Sequence, residues 1–386
     1  MVEIARVLEQ AGHEAWCVGG ALRDAILARP HADFDLATSA SPEEVQKLFR
    51  RTVPVGLRFG TVGVLDAAGV LHEVTTFRRD IDTDGRHAEV SYGASLEEDL
   101  ARRDFTVNAL AFHPLRGEWR DPFGGAADLA RGVIRAVGEP AARFREDFLR
   151  VLRALRFAAR LDFEIDPATW EAALEAAPGL TRLSAERVRD EWERGLQWAR
   201  SLERFARLWH EVGAAAVVLP ELLPVHAPAA QAVFRHDQGP VRDPILLTAI
   251  LCDSPAAVLE RLRASNADIA RAGAIARGPA EPSDPEPVAV RRWMAATGPA
   301  ADDLMAAWEL RHGQAAPWAD TVAGIRERRE PLGRTDLAVT GNDLVAAGVA
   351  PGPALGRLID RLVELVLDDP SLNRRETLLA RARELA

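Results

Sequence analysis

Residues 16–38 constrain this chain more than any other stretch, because they join a glycine pair to a pair of carboxylates. An apolar strand over residues 16–18 runs into the glycines, and a second strand carries Asp33 and Asp35. Side chains alternate along a strand, so Asp33 and Asp35 project from one face. Two adjacent carboxylates repel each other unless a cation lies between them, and hard divalent ions prefer oxygen ligands. The spacing therefore predicts a divalent-metal site.

The glycine pair, Gly19-Gly20, stands where the first strand meets a predicted helix. Free backbone N–H groups and the helix dipole attract anions at such a junction. The absence of a Cβ lets a phosphate approach closely, and Arg23 adds a fork of donors one turn later. A phosphate cradle beside a two-carboxylate metal site predicts nucleotidyl transfer. Taken singly, each motif is also typical of an ordinary turn or of a surface aspartate pair.

Length and composition predict a protein of several domains. The 386 residues suggest two to four units, and 48% apolar residues suffice for buried cores. No apolar run is long enough to span a membrane, and the N-terminus reads as an amphipathic helix rather than a signal peptide. Cys17 and Cys252 are too few for a disulfide framework or a zinc cage. We therefore expect a cytoplasmic protein with no membrane contact.

The net charge of −10 argues against a nucleic-acid partner, but the charge is unevenly distributed. Residues 141–160 hold six arginines against Glu146 and Asp147, a local excess of four positive charges. Because salt screens distant charges, RNA binding depends mainly on the charges near the binding surface. A local excess of arginines can therefore bind RNA on an acidic protein.

After the two carboxylates the sequence predicts one helix and a pair of strands. Ser41 and Glu44 form a capping box that starts the helix. The β-branched segments 61–65 and 70–77 predict a hairpin. Glu73, in the second strand, is either a third carboxylate on the metal face or an edge-strand glutamate that faces water.

Two charged segments follow. Residues 78–90 lack any period and indicate a mobile loop over a site or a solvated hairpin tip. Arg102, Arg103 and Asp104 supply donors and an acceptor that suit a triphosphate and a ribose hydroxyl. A surface salt-bridge cluster is the alternative interpretation of that triplet.

From residue 143 onward the pattern is helical. An apolar stripe over residues 149–157 lies opposite a charged set, and this set is either a binding face or a row of solvated salt bridges. Its members are Asp147, Arg150, Arg153 and Arg156.

Seven motifs occur in one order at consistent spacing, and together they resemble a known family. The motifs are G-G-A-L-R-D, D-F-D-L-A-T, E-V-T-T-F-R, D-T-D-G-R, R-R-D-F-T-V-N-A, D-P-F-G-G and E-D-F-L-R-V-L-R-A-L-R-F. They are similar to those of the class II CCA-adding tRNA nucleotidyltransferases, which are close relatives of bacterial poly(A) polymerases. The resemblance covers residues 13–163 and returns over residues 339–356.

The resemblance implies an α/β nucleotidyltransferase head with a mixed sheet, followed by helices only. We expect a head over residues 1–140, a neck for base recognition over 141–200, a body over 201–330 and a tail over 331–386. The tail would hold the elbow of a tRNA whose 3′ end enters the head. The expected substrates are CTP and ATP, the expected cofactor is a pair of Mg²⁺ ions, and no protein partner is predicted.

The resemblance also assigns roles by position. Asp33 and Asp35 match the metal ligands, and Glu73 matches a third catalytic carboxylate. The nucleotide-binding positions are Gly19, Gly20, Arg23, Arg102, Arg103, Asp104, Asn108, Asp147, Arg150, Arg153 and Arg156. The flexible loop carries Asp84 and Arg86. Two Mg²⁺ ions would activate the tRNA 3′-hydroxyl and stabilise the leaving pyrophosphate.

Base selection can be argued from chemistry as well. Cytosine and adenine each carry an amino group next to an unprotonated ring nitrogen, so Asp147 can accept and Arg150 can donate. Uracil and guanine reverse that order and leave buried groups unpaired. One carboxylate and one guanidinium can therefore select C and A without a template.

Alternatives stay open. An A-adding enzyme or a bacterial poly(A) polymerase would share the motifs, although residues 54–64 resemble the tRNA enzymes and Asp84 to Arg86 argue against a CC-adding one. From other classes, His236-Asp237 suggests an HD-type phosphohydrolase, and a non-catalytic RNA-binding protein would use the same arginines.

Overall fold

The computed structural model describes residues 1–29, 34–56, 60–83 and 88–385, with the backbone alone given for residues 79–83 and 88–91. The described chain separates into two compact units. The first contains Met1–Leu222 with Gly239–Arg242, and the second contains Leu223–Gln238 with Asp243–Ala386.

The first unit is built on a mixed sheet of seven strands. Its order is β3-β4-β5-β2-β1-β8-β9, and within it β2 and β5 run parallel while the other neighbours are antiparallel. The strands of the described residues are β1 (Ala15–Val18), β2 (Asp35–Thr38), β3 (Thr52–Gly56), β4 (Thr61–Leu65), β5 (Leu71–Thr76), β6 (Arg78–Thr83), β7 (Ala88–Tyr92), β8 (Ala111–Phe112), β9 (Trp119–Arg120), β10 (Val133–Ile134) and β11 (Glu164–Ile165).

Helices cover one face of this sheet through apolar contacts. Helix α1 (Val2–Gln10) buries Ile4 and Leu8 in a core that also receives Val45 from α3 (Pro42–Leu48). The predicted capping box of Ser41 and Glu44 is present at the start of α3. At one end of the sheet, β1 leads directly into α2 (Gly20–Ile26).

The charged segment at residues 78–90 differs from the mobile loop that the sequence suggested. Strands β6 and β7 pair as an antiparallel hairpin, which agrees with the alternative interpretation. The expected loop residues Asp84 and Arg86 lie outside the described residues.

The rest of the first unit is helical apart from the short parallel pair β10–β11. Apolar packing of α7 (Leu149–Leu161) against α9 (Ala185–Trp198) and α10 (Leu202–Glu211) forms its core. Trp192, Phe205 and Trp209 are in mutual ring contact there. The helices after α3 are α4 (Leu96–Ala101), α5 (Gly125–Arg131), α6 (Pro140–Glu146), α7 (Leu149–Leu161), α8 (Pro167–Ala176), α9 (Ala185–Trp198), α10 (Leu202–Glu211) and α11 (Ala214–Val218).

In the second unit the described residues form helices only, and several of them begin with proline. A proline at the first helical position loses no hydrogen bond and has a suitable φ angle; the examples are Pro228, Pro244, Pro255, Pro287 and Pro353. The helices are α12 (Pro228–Arg235), α13 (Pro244–Leu251), α14 (Pro255–Arg261), α15 (Asn266–Arg277), α16 (Pro287–Thr297), α17 (Ala301–His312), α18 (Ala319–Glu327), α19 (Gly341–Ala346), α20 (Pro353–Asp368) and α21 (Arg375–Leu385).

The predicted fold class, an α/β head followed by helices, is confirmed. The finer division at residues 140, 200 and 330 stays a prediction. Across the described residues we find no helix with the length and apolar character needed to cross a membrane.

Close packing at Gly195 gives a test of the fold. A Cβ at this position of α9 would lie 1.9 Å from Cζ of the buried Phe205. We expect Gly195→Ala to lower the free energy of unfolding by about 1–3 kcal/mol, because overpacking outweighs the better helix propensity of alanine. Urea denaturation measures it.

The matched control is Gly356→Ala in α20, where nothing lies within 4 Å of the added Cβ. This substitution should leave the protein as stable as wild type or more stable by up to about 1 kcal/mol. Equal effects of the two substitutions would contradict the packing argument.

Candidate active site

The predicted glycine turn lies at the end of the sheet where β1 meets α2. Strand β1 ends at Val18, which pairs with Asp35 on β2. Gly19 has φ +84° and ψ −154°, a conformation that only glycine adopts without strain, and α2 begins at Gly20. A Cβ on Gly19 would stand 3.4 Å from Oδ2 of Asp35. The turn therefore brings the backbone of the glycine pair next to one predicted metal ligand.

Asp35 and Glu73 are brought together by the parallel pairing of β2 and β5. Leu36 pairs with Val74, so the preceding residues of the two strands occupy neighbouring positions. Both side chains line the same cavity. β5 is hydrogen-bonded on both sides, so Glu73 is not on an edge strand. Asp33 lies outside the described residues, and its role as a metal ligand stays a prediction.

The cavity has a volume of about 640 Å³ and is strongly cationic. Nine arginines and four acidic residues line it, an excess of five positive charges. The arginines are Arg23, Arg78, Arg102, Arg103, Arg150, Arg153, Arg156, Arg160 and Arg187, and the acidic residues are Asp35, Glu73, Asp104 and Asp147. All the nucleotide-binding positions predicted from the sequence line this cavity.

Arg23 is more deeply embedded than the sequence suggested. It is 1% exposed, and it donates to Asp24 at 2.8 Å and to Oδ1 of Asn108 at 2.7 Å. Burial lowers the pKa of Arg23, and the neighbouring Asp24 opposes this shift. Asp24 also accepts from Arg160 at 2.8 Å. The guanidinium group is therefore fixed in place before any phosphate arrives.

Arg102 and Arg103 are held by a carboxylate that sequence reasoning missed. Asp99, in α4, is 1% exposed and accepts from both arginines at 2.8–3.1 Å. Burial raises the pKa of Asp99, but the two guanidinium groups outweigh it and keep the pKa below its usual value. Its spacing of three and four residues from the arginines is the signal that could have identified it.

Asp104 joins the head to α7. Its carboxylate accepts from the backbone N–H of Phe105, from the amide of Asn108 and from two nitrogens of Arg153. Burial raises the pKa of Asp104, yet Arg153 and these hydrogen bonds hold it far below its usual value. Asp104 is therefore an ionised acceptor, which agrees with the chemistry predicted for the triplet.

Asp147 departs from the expected helical face. Helix α6 ends at Glu146, and Asp147 is extended, with φ −155°, before α7 begins. Its Oδ1 accepts the N–H of Leu149 at 3.1 Å, and its Oδ2 accepts from Arg187 at 2.7 Å. Arg187, in α9, is a further residue that the sequence did not identify.

Arg150 and Arg156 are also held by neighbouring groups. Arg150 donates to Glu146 at 2.6 Å and to the carbonyl of Arg102 at 3.0 Å. Arg156 donates to Glu191 of α9, which is 3% exposed. Burial lowers the pKa of Arg156, and Glu191 opposes the shift. The Phe157 ring lies 4.3–5.3 Å from three guanidinium groups, those of Arg23, Arg153 and Arg156.

The family profile described as "Poly A polymerase head domain" matches residues 15–135. A second profile, described as "Probable RNA and SrmB- binding site of polymerase A", matches residues 162–225. The first match contains the glycine turn, Asp35, Glu73 and the triplet of Arg102, Arg103 and Asp104. Together with the sheet and the arginine-lined cavity, these matches place the chain in the nucleotidyltransferase class of enzymes.

Relatives narrow the class further. The CCA-adding enzyme of Limosilactobacillus fermentum is 35% identical over an alignment of 397 positions, which covers 98% of this chain and 94% of that protein. The CCA-adding enzyme of Leuconostoc mesenteroides is 50% identical over 201 residues, 51% of this chain and 50% of that protein. The chain belongs to the family of CCA-adding enzymes, which confirms the resemblance noted from its motifs.

Solved structures agree. The CCA-adding enzyme of Bacillus stearothermophilus, crystallised in complex with CTP, has a TM-score of 0.81 and 33% identity over 99% of this chain and 96% of that one. The Thermotoga maritima CCA-adding enzyme complexed with tRNA has a TM-score of 0.67 at 19% identity, covering 100% of this chain and 94% of that one. At that identity the second comparison supports the fold alone.

The ion pair of the buried Asp104 with the half-buried Arg153 predicts a pH-dependent contribution to stability. Asp104→Asn removes the charge opposite Arg153 and should lower the free energy of unfolding by about 3 kcal/mol at pH 7. Because the native pKa of Asp104 is below its unfolded value, its contribution is complete above about pH 5 and is lost as the pH falls further.

The difference between wild type and Asp104→Asn should therefore be constant from pH 7 to pH 5. Below about pH 4 it should shrink by up to about 1 kcal/mol per pH unit. Urea denaturation at pH 7, 5, 4 and 3 measures the difference in its constant range and in the range where it declines. A difference that stays constant down to pH 3 would contradict the lowered pKa of Asp104.

Proposed function

We propose that this chain adds the sequence CCA to the 3′ end of tRNA. It would transfer CMP, CMP and AMP from CTP and ATP without a nucleic-acid template and would release pyrophosphate at each step. One observation carries the proposal. One cationic cavity receives Asp35 and Glu73 from the sheet, Asp147 from the junction of α6 with α7, and Arg150 from the first turn of α7.

The arginines supply the affinity for the triphosphate. Guanidinium groups form forked hydrogen bonds to phosphate oxygens, and those of Arg102 and Arg103 are already oriented by Asp99. A preformed set of donors costs little reorganisation when charge develops on the leaving pyrophosphate. Asp104, ionised and buried beside this set, already accepts four hydrogen bonds, so it would exchange one of these donors for a ribose hydroxyl.

Asp147 and Arg150 supply the base selectivity. The carboxylate of Asp147 accepts two hydrogen bonds in the described structure, one from Leu149 and one from Arg187. A carboxylate has about four acceptor positions. It therefore retains capacity for the amino group of cytosine or adenine. Arg150 would donate to the neighbouring ring nitrogen. Uracil and guanine present a carbonyl and an N–H in these places, which Asp147 and Arg150 cannot satisfy.

The carboxylates fit the expected Mg²⁺ ions in their chemistry. Asp35 and Glu73 offer oxygen ligands from neighbouring strands at the end of the cavity where the glycine turn lies. Bound Mg²⁺ would supply Lewis-acid stabilisation of the phosphate oxygens and would lower the pKa of the attacking hydroxyl. The chain itself holds the triphosphate, orients the base and places the glycine N–H groups beside Asp35.

The proposed macromolecular partner is tRNA. The net charge of −10 argues against a nucleic-acid partner, but RNA binding depends on the local electrostatic field. The cavity has an excess of positive charge and can therefore attract RNA. We assign the 3′ end to the cavity and the elbow to residues 331–386. The division into head, neck, body and tail is part of this proposal. A cytoplasmic location remains a prediction.

Incorporation on three tRNA transcripts tests the proposal. One transcript lacks CCA, one ends in C and one ends in CC, and each receives CTP and ATP separately and together with Mg²⁺. We expect completion of all three to CCA and then a stop. Addition of A to the CC transcript alone would indicate an A-adding enzyme, and a long A tail would indicate a poly(A) polymerase. No incorporation would refute nucleotidyl transfer.

The alternatives from other classes find less support. Among the residues that the structure describes, no group of three His, Cys, Asp or Glu side chains is placed to hold a metal ion. His236 instead contacts the carbonyl of Ala232 through its ring nitrogen. The shared cavity of Asp35 and Glu73 likewise favours an enzyme over a protein that only binds RNA.

Asp35→Asn tests the metal assignment. The substitution keeps the shape of the side chain but removes its charge, so transfer should fall by about a thousandfold or more. The affinity for tRNA, measured by filter binding, should change less than about twofold. Glu97→Gln, an exposed change elsewhere in the head, is the control. Retained transfer in Asp35→Asn would overturn the assignment.

Asp147→Ala tests base recognition. Loss of the acceptor should reduce the preference for CTP over UTP by about tenfold or more, because uracil would no longer face an unsatisfied carboxylate. Single-nucleotide incorporation under competition measures the preference. Arg145→Ala, at an exposed position two residues away, should leave the preference unchanged. Unaltered discrimination in both variants would place base recognition elsewhere.

A further inference from the structure

Two threonines on neighbouring strands line the active-site cavity, and the proposed reaction has not yet given them a role. Thr61 of β4 pairs with Thr75 of β5 across the antiparallel ladder, and their Oγ1 atoms lie 3.0 Å apart. Side chains alternate along a strand, so Thr75 shares one face of β5 with Glu73. We call Thr61 and Thr75 the threonine pair. It lies about 7 Å along the strand from the position of Glu73.

The threonine pair has unused hydrogen-bonding capacity. Each hydroxyl has one donor and two acceptor positions. The contact between the two hydroxyls uses one donor and one acceptor, and neither has another partner among the residues that the structure describes. One donor and three acceptor positions therefore remain on two half-buried, uncharged side chains. Such a set suits a ligand hydroxyl, which both donates and accepts, better than it suits a phosphate, which only accepts.

The order of the strands places the threonine pair beyond the carboxylates. From the glycine turn at the end of β1, the neighbouring strands are β2 with Asp35, β5 with Glu73 and β4 with Thr61. Arg103 stands beside the glycine turn, because a Cβ on Gly19 would lie 3.8 Å from one of its guanidinium nitrogens. The glycine turn and Arg103 therefore define the phosphate side of the carboxylates, and the threonine pair lies on the other side.

Nucleotidyl transfer has a fixed direction relative to these two sides. In an in-line displacement the attacking and leaving oxygens stand on opposite sides of the α-phosphorus. Because pyrophosphate would leave toward the glycine turn, the attacking 3′-hydroxyl would approach from the side of the threonine pair. The 2′-hydroxyl of the same ribose then enters the part of the cavity that Thr61 and Thr75 line.

We propose that Thr61 and Thr75 bind the 2′-hydroxyl of the nucleotide at the 3′ end of the acceptor. The inference rests on the proposed function and adds to it a subsite for the acceptor ribose. A 2′-hydroxyl both donates and accepts, and it is the group that distinguishes RNA from DNA. The threonine pair would thus hold the attacking 3′-hydroxyl in line and would select an RNA end over a DNA end.

Different groups would contact the two riboses of the reaction. Asp104 is ionised and only accepts, and it is assigned to the ribose of the incoming nucleotide. The threonine pair is uncharged and can also donate, and it is assigned to the ribose of the acceptor. Removal of the threonine hydroxyls should therefore alter the choice between ribose and deoxyribose in the acceptor. The choice between ATP and dATP should stay as it is.

Thr61→Val and Thr75→Val test the inference, because valine has nearly the shape of threonine and lacks the hydroxyl. Thr52→Val is the matched control, since Thr52 is a half-buried threonine of β3 in the same sheet and does not line the cavity. The acceptors are tRNAs that end in CC, and their last nucleotide is either cytidine or 2′-deoxycytidine. For each protein, kcat/KM is measured for the addition of AMP to both acceptors with Mg²⁺. Fluorescence anisotropy gives the dissociation constants of both acceptors.

Wild type should favour the ribose-ended acceptor, and each valine variant should lower that preference in kcat/KM by about tenfold, the effect of one hydrogen bond. The ratio of the two dissociation constants should fall in the same direction. Thr52→Val should keep the wild-type preference. Thr61→Ser and Thr75→Ser retain a hydroxyl and should restore most of it. Thermal denaturation identifies any unfolded variant, and if one valine variant is unfolded, the other decides.

Several results would contradict the inference. Wild type could add AMP equally to both acceptors, or the valine variants could keep the wild-type preference and so show that the threonine pair only stabilises the sheet. An equal loss of preference in Thr52→Val would do the same. A lower preference for ATP over dATP would place the threonine pair at the incoming nucleotide instead. If wild type binds tRNA but adds no nucleotide, the proposed function is wrong, and the dissociation constants of the two acceptors still decide this inference.

Discussion

The active-site cavity depends on buried carboxylates that lie behind its arginines. Asp24 holds Arg23 and Arg160, Asp99 holds Arg102 and Arg103, and Glu191 holds Arg153 and Arg156. Each of these carboxylates is at most 5% exposed and is shared by two guanidinium groups. One negative charge for two positive charges permits close packing of arginines but leaves an excess. Since none of the three carboxylates lines the cavity, the wall itself stays cationic and attracts a triphosphate.

Much of this arrangement is visible in the sequence because it is local. The glycine pair ends a strand and begins a helix within three residues. Arg102, Arg103 and Asp104 are adjacent in sequence and line the same cavity in the folded chain. Local patterns predicted single strands and helices, whereas the mixed sheet followed by helices was implied by the resemblance of the motifs to a known family. Glu73 was identified as a candidate by its polarity among apolar neighbours, and strand pairing then brought it to Asp35.

The remainder is long-range, and short patterns carry no information about it. Asp24 and Arg160 are 136 residues apart, and Arg156 and Glu191 are 35 apart. Nothing near Glu191 distinguishes it from the other acidic residues of a polar helix until the fold is known. The break at Asp147 was missed because arginines and leucines continue the helical period on both sides. For residues 78–90 the sequence left a mobile loop and a hairpin open, and the backbone pairing of β6 with β7 agrees with the hairpin.

Under the proposed function, base selection would depend on apolar packing as well as on charge. Cytosine and adenine differ in size but share one hydrogen-bonding edge, so a pocket that accepts both must discriminate by direction rather than by volume. Asp147 accepts a hydrogen bond from Arg187 of α9, and α9 is packed through Trp192 and through Gly195 against Phe205. A shift of about 1 Å in that packing would move Arg187 and with it the carboxylate of Asp147, although no residue of the aromatic cluster lines the cavity.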